Sequence, residues 1–221
     1  VLIAVGMRFD DRVTGDLSRY AKQAKVVHLE IDPAEIDKNV KADVAVLGDA
    51  KELLLALTKL LNENEHKEWL NEFRQLEREE HYTVIKEELN PSVDELSMGE
   101  VLDAINKNTG GEAIVVTDVG QHQMVACRYA KFKQSKSMIT SGGLGTMGFC
   151  LPAAIGAKMG RPDKEVVAVI GDGGFQMTIQ ELGTIFQSKT PVKILVLNNE
   201  FLGMVRQWQE LFFDKRYAST T

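Results

Sequence analysis

The chain has 221 residues, 44% hydrophobic and 26% charged, an ordinary composition for one or two soluble globular domains. A formal net charge of −6 and a pI near 5.3, with no run of Lys or Arg, exclude the concentrated basic surface that a nucleic-acid backbone demands. No apolar stretch reaches the roughly 18 residues of a membrane span and no signal-peptide pattern opens the chain, so a cytoplasmic protein with neither nucleic acid nor membrane as partner is expected.

In chain order, residues 1–5 already read as a buried strand with no leading cap. Apolar runs at 1–5, 26–31 and 44–47 alternate with amphipathic stretches at 17–23 and 51–61, a pattern that predicts a parallel α/β sheet. From 63 to about 91 Glu, Lys, Asn, Gln and Arg dominate around the isolated anchors Trp69, Phe73 and Tyr82, which predicts a solvated helical connector. At Ser97-Met98-Gly99-Glu100 the Ser hydroxyl can cap a helix and the Glu can reach back to the cap. A second alternating region follows, with strands expected at 113–117, 165–170 and 192–197 and helices at 149–159 and 177–187. Residues 217–221 stop without a closing element, so both ends are expected to be cuts through a longer chain. Cys127 and Cys150 lie in apolar segments without metal-ligand spacing and are expected to be buried, reduced thiols. The fold class is α/β, a doubly wound parallel sheet preceded by part of a second, Rossmann-like unit. The expected division is 1–64, a helical linker 65–96, and 97–221.

The sharpest chemical signal is Gly171-Asp172-Gly173, then 24 residues, then Asn198-Asn199. Each group follows an apolar run that reads as a strand covered on both faces. If those strands are parallel neighbours, about 5 Å apart, a carboxylate and a carboxamide converge on one edge of the sheet, where ligands bind in open parallel folds. A site of hard oxygens with a single carboxylate suits Mg²⁺ completed by phosphate oxygens. The flanking glycines let phosphate approach the backbone. A GDG alone is most often a simple strand-to-helix turn; the pairing with Asn198-Asn199 at strand ends is what makes it specific.

Gly171-Asp172-Gly173 with Asn198-Asn199 resembles the diphosphate-anchoring motif of thiamine-diphosphate enzymes. Asp118-Val119-Gly120-Gln121-His122-Gln123 and Gly142-Gly143-Leu144-Gly145-Thr146-Met147-Gly148 resemble two further cofactor loops of the acetolactate synthase branch of that family, and Gly6 to Gly15 its FAD-contacting segment. The resemblance runs over essentially the whole chain. It implies a thiamine-diphosphate fold at 97–221 behind part of an FAD-contacting domain at 1–64. It implies an enzyme that decarboxylates pyruvate and condenses the resulting enamine with a second 2-oxo acid, pyruvate or 2-oxobutyrate, in branched-chain amino acid biosynthesis.

Residue by residue, the resemblance implies that Asp172, Asn199 and the backbone carbonyl of Phe201 hold Mg²⁺. Gln121 and His122 lie beside the diphosphate and the reacting carbon, with Gly120, Gly145, Gly171, Gly173, Gly174, Gly203 and Met204 completing the cofactor loops. Met147 is the wedge that folds the cofactor's rings together, against a plainer reading as gap-filling core. Trp208 forms a flat wall of the acceptor pocket, against a reading in which an amphipathic helix packs it into the domain. A carboxylate after a strand can bond a ribose hydroxyl, and Glu30 has that place; the resemblance puts it in the FAD site with Ile31, Gly6, Arg8, Asp11 and Asp49. The usual G-x-G-x-x-G fingerprint is absent, so the FAD expectation rests on the resemblance alone.

The family also needs a glutamate against the aminopyrimidine, supplied by an N-terminal domain of the partner subunit; no Glu here has that context. A homodimer or higher homo-oligomer, with or without a small regulatory subunit, is therefore implied, and the chain alone is expected to be inactive. Two competing readings are another thiamine-diphosphate decarboxylase or oxidase, and a catalytically inert nucleotide-binding module.

Overall fold

The computed structural model describes residues 1–93 and 95–221; residue 94, inside the expected linker 65–96, lies outside the described residues. The chain divides into two compact units, Val1–Trp69 and Leu70–Thr221. Among the described residues no helix is long and apolar enough to cross a membrane.

In the first unit, strands β1 (Leu2–Val5), β2 (Val26–Glu30) and β3 (Val44–Leu47) form one parallel sheet in that order. Helix α1 is the single turn Asp11–Thr14, and α2 (Ala50–Thr58) follows β3 with Asp49 as its N-cap, whose side chain accepts from the Lys51 N–H. Phe9, Ala4 and Val26 make the small core. The expected helix at 17–23 is not formed: the segment is a series of turns. Oδ1 of Asp16 takes the Ser18 N–H at 2.8 Å, and Ala21 sits at φ 48°, so a local side-chain bond and a left-handed residue displace the helix.

Helix α3 (Lys67–Glu80), a π turn His81–Ile85 and α4 (Lys86–Leu89) carry the connector. Trp69, Phe73 and Tyr82 are exposed rather than anchored in a core. Its far end is not purely solvated, because Ile85 and Leu89 pack against the core of the second unit.

That unit holds α5 (Met98–Thr109), β4 (Ile114–Thr117), α6 (Gln121–Tyr129), β5 (Met138–Thr140), α7 (Cys150–Gly160), β6 (Val166–Gly171), α8 (Asp172–Thr178), α9 (Leu182–Ser188), β7 (Lys193–Leu197) and α10 (Gly203–Phe212). Helix α5 begins with the expected capping box: Ser97 Oγ accepts the Glu100 N–H and Glu100 accepts the Ser97 N–H, each at 3.0 Å. The sheet is parallel, in the order β5-β4-β6-β7. Alternate residues serve two cores: Val115, Val167 and Val169 pack with α5 and α6, while Ile114, Val116, Val166, Ala168 and Ile170 pack with α7. Every residue of β6 is buried, as a strand covered on both faces must be; β7, expected to be covered likewise, has no buried residue and leaves Lys193 and Val196 exposed, because it is the last strand in the sheet order. The sheet is thus doubly wound, as expected.

One strand was not expected, and two local expectations are corrected. Strand β5, at three residues too short to show periodicity, is defined by its pairing with β4. The helix expected at 177–187 begins earlier, at Asp172, and is broken by a 3-10 turn at Ile179–Glu181, where Thr178 Oγ1 donates to the Gly148 carbonyl at 3.1 Å. Cys150 is buried but Cys127 is exposed, because α6 buries His122, Ala126 and Tyr129 and turns position 127 away.

Candidate active site

The C-terminal ends of β4, β6 and β7 open onto a cleft of about 270 Å³. Gly171 and Leu197 are register partners on neighbouring parallel strands, so the chain leaves both at one level and delivers Asp172 and Asn199 to the same edge. Both line the cleft, together with Gly120, Gln121, His122, Gly145, Met147, Gly171, Gly173, Gly174, Phe201, Gly203 and Met204. Every residue that the sequence assigned to the diphosphate and metal site, from the segments after β4, β5, β6 and β7 and the start of α10, is therefore brought together.

The oxygens suit a hard cation. Asp172 is half-buried and, among the described residues, its carboxylate takes no hydrogen bond or ion pair. Asn199 Oδ1 accepts the Phe201 N–H at 3.2 Å, leaving one lone pair, and its Nδ2 donates to Gln121 Oε1 at 3.2 Å. The Phe201 ring is held from one side by the Arg206 guanidinium, 4.1 Å from its centroid, which stacks equally on Tyr217. Among the described residues no three His, Cys, Asp or Glu side chains group as metal ligands, so a cation here would draw on Asn199, a backbone oxygen and the ligand's own phosphate.

The glycines have a further reason beyond phosphate access. A Cβ on Gly171 would stand 3.0 Å from His122 Nδ1, one on Gly173 3.1 Å from Leu202 and 3.2 Å from Met147, and one on Gly203 2.2 Å from Gln121 Oε1. Gly120 combines φ 141° with 2.8 Å to the His122 ring, so no other residue fits between the strand end and the imidazole.

Trp208 is not brought into the cleft. It is 56% exposed on α10, its ring 4.7 Å from that of Phe212; it neither walls this cavity nor packs into the domain. Sequence reasoning missed Asp118 as a site residue: it follows β4 and is fully buried, and its Oδ1 lies 2.5 Å from His122 Nε2. The signal was available, an acid at a strand end four residues before a histidine on a helix start. Met98, Val119, Leu197, Leu202 and Val205 also line the cleft, although the sequence reading gave none of them a role there.

In the first unit the expected flavin residues gather differently. The Gly6 N–H donates to the Leu29 carbonyl and the Gly48 N–H to that of Glu30, each at 2.9 Å, so Gly6, Glu30 and the Gly48-Asp49 turn share the C-terminal edge of the sheet. Glu30 is 6% exposed. Its Oε1 accepts the N–H groups of Ile31 and Asp32, whereas Oε2 is buried without a hydrogen-bond partner, 3.7 Å from His28 Nε2. Arg8 and Asp11 are exposed, with Arg8 paired to Asp10.

The comparisons agree with this geometry. Residues 118–221 match the family described as thiamine pyrophosphate enzyme, C-terminal TPP binding domain, and residues 1–57 match the thiamine pyrophosphate enzyme central domain. The chain is 47% identical over 221 residues to the acetolactate synthase isozyme 2 large subunit of Escherichia coli, covering 100% of this chain and 39% of that protein. It is 44% identical over 242 residues to a probable acetolactate synthase large subunit of Methanococcus aeolicus, covering 99% and 39%. The acetolactate synthase large subunit of Lactococcus lactis is 43% identical over 223 residues, with 99% and 37% covered. The chain thus spans less than two-fifths of these relatives' length.

Proposed function

Because the chain belongs to the thiamine pyrophosphate enzymes, we propose that it is part of the catalytic large subunit of an acetolactate synthase, joining a two-carbon unit from pyruvate to a second pyruvate or to 2-oxobutyrate. The observation that carries this reading is the convergence of Asp172 and Asn199, at the ends of adjacent parallel strands, on one cleft with Gln121 and Met147.

Thiamine diphosphate, when bound, supplies the electron sink that makes loss of CO₂ from a 2-oxo acid feasible. The protein's share is placement. Asp172, Asn199 and the Phe201 carbonyl are the groups to hold Mg²⁺, and the Gly171 to Gly174 backbone leaves room for the diphosphate. Met147 stands across from Gly173, where its side chain can bend the ligand, and His122 and Gln121 present polar atoms toward the reacting end. Preorganised groups of this kind lower a barrier by position and electrostatics.

No glutamate lines the cleft among the described residues, so we place the group that activates the aminopyrimidine outside this stretch, on a second subunit of a homo-oligomer. A small regulatory subunit is a further partner in this reading. For FAD, the support is the buried Glu30 Oε2 at the sheet edge, which has no hydrogen-bond partner, an acceptor suited to a ribose hydroxyl; Gly6, Ile31, Asp49, Arg8 and Asp11 are the other residues this reading assigns to the flavin.

The test is the product formed from pyruvate by the full-length protein with thiamine diphosphate, Mg²⁺ and FAD. Acetolactate is expected, and 2-aceto-2-hydroxybutyrate when 2-oxobutyrate is added. Acetaldehyde or peroxide as the main product would assign the protein to another branch of the family.

A further inference from the structure

Three loops meet at one carboxylate. Asp118 is fully buried, directly after β4. Its Oδ1 lies 2.5 Å from His122 Nε2, and its Oδ2 accepts the backbone N–H of Gly148, the residue after Met147, at 2.9 Å. The same Oδ2 packs on the third loop, since a Cβ on Gly174 would stand 2.2 Å from it. Asp118 does not itself line the cleft; His122 and Met147 do.

A carboxylate only accepts, so Nε2 of His122 carries a hydrogen. The opposite ring edge, Nδ1 and Cε1, faces Gly120 and Gly171, where added Cβ atoms would lie 2.8–3.1 Å away. The ring therefore has one orientation and Nδ1 is the nitrogen left for the cleft. Carboxylates behind a functional histidine fix its tautomer in this way in metal and acid–base sites.

We propose that Asp118 is a positioning residue: it holds His122 as the Nε2–H tautomer and locks the Met147-Gly148 turn in register with it. In its consequence for ligand binding, the proposal rests on the thiamine-diphosphate reading of the cleft.

Asp118→Asn separates this role from plain packing. Both partners of the carboxylate are donors, and an amide can accept from only one of them while its NH₂ faces the other. The Gly148 N–H cannot change, so the imidazole relieves the conflict by moving its proton to Nδ1 and accepting at Nε2. The experiment records ¹⁵N–¹H spectra of the ring nitrogens in the histidine-labelled full-length protein, with His122→Gln assigning the signal. Calorimetry of thiamine diphosphate with Mg²⁺ on each variant runs beside it.

Wild type is expected to show the proton on Nε2. Asp118→Asn is expected to shift it toward Nδ1 and to weaken cofactor binding about tenfold or more, the usual cost of losing a charged hydrogen bond. A wild-type His122 protonated only at Nδ1 overturns the proposal, and this holds even if the variant does not fold. So does a variant whose tautomer is unchanged, or one whose tautomer moves while affinity does not. Failure of the wild type to bind the cofactor at all would instead overturn the functional reading, leaving the tautomer measurement to decide the role of Asp118.

Discussion

The side-chain amide of Asn199 donates to Oε1 of Gln121 at 3.2 Å, linking the turn after β7 to the first residue of α6 across 78 positions of sequence. Both side chains stand where a Cβ on Gly203 would fall, 2.2 Å from Gln121 Oε1 and 2.8 Å from Asn199 Nδ2. The first residue of α10 thus sets how closely two loops of the cleft approach.

Gly203→Ala is expected to separate stability from binding. The atoms it would strike are the far ends of two side chains, which can move, and alanine favours the helix by roughly 0.5–1 kcal/mol. Thermal stability should therefore change by no more than about 1 kcal/mol, while affinity for thiamine diphosphate with Mg²⁺ falls, because Asn199 is pushed from its place. Gly174→Ala is the contrasting case. Its Cβ meets the buried Asp118 carboxylate, which has no room to yield, and a loss of about 1–3 kcal/mol is expected in urea denaturation.

Asp172→Ala should abolish cofactor-linked stabilisation. A ligand at a hundred times its Kd raises stability by about 2.7 kcal/mol, roughly 2–4 °C per kcal/mol for a domain of this size. Wild type is expected to melt higher by that order when thiamine diphosphate and Mg²⁺ are added together. An Asp172→Ala variant that keeps the rise would remove the carboxylate from the metal site.

Ser97→Ala removes both bonds of the Ser97 hydroxyl, the acceptor for the Glu100 N–H that caps α5 and the donor to the Glu88 carbonyl at 2.6 Å, and leaves the backbone half of the capping box. A loss of about 1 kcal/mol, up to about 2, is expected, read as a lower urea midpoint with unchanged slope.

The two thiols should differ in reactivity and in their effect on pH stability. Burial pushes the Cys150 thiol well above its ordinary range, and the charge of Asp118 adds to this; its Sγ donates to the Val116 carbonyl at 3.1 Å. Alkylation of the native protein should label Cys127 alone, and slowly, since partial burial raises that thiol as well. The unfolded chain ionises Cys150 near pH 8.5 and the folded chain does not. Its contribution to stability is therefore complete below that pH and lost as pH rises above it. Cys150→Ala should flatten this alkaline decline in a series of melts.

Much of the second unit was legible because its longer strands are apolar runs. Val166 to Ile170 can only be a strand covered on both faces, and that fixed where Asp172 and Asn199 must emerge. The capping box at Ser97 and Glu100 was equally plain, since both its bonds are local. The failures are places where distant groups decide. The helix 177–187 starts at Asp172 because Gly174 is packed against Asp118, 56 positions upstream by number, against its own poor helix propensity. Trp208 sits at helical spacing that fits a pocket wall or a core equally, and it faces Phe212 and solvent instead.

The sequence by itself determined the strand ends and the chemistry placed on them: an acid after β6, an amide after β7, glycines beside both. These follow from local pattern, because an apolar strand and its following turn are written in consecutive residues. Only the tertiary structure decided that β6 and β7 are neighbours in register, that Gln121 reaches Asn199, and that Asp118 also holds the Gly148 turn. Gly171 and Leu197 are 26 positions apart, Asp118 and Gly148 30, and Gln121 and Asn199 78, and no periodicity in a chain encodes contacts that arise only when separate loops are packed onto one sheet edge.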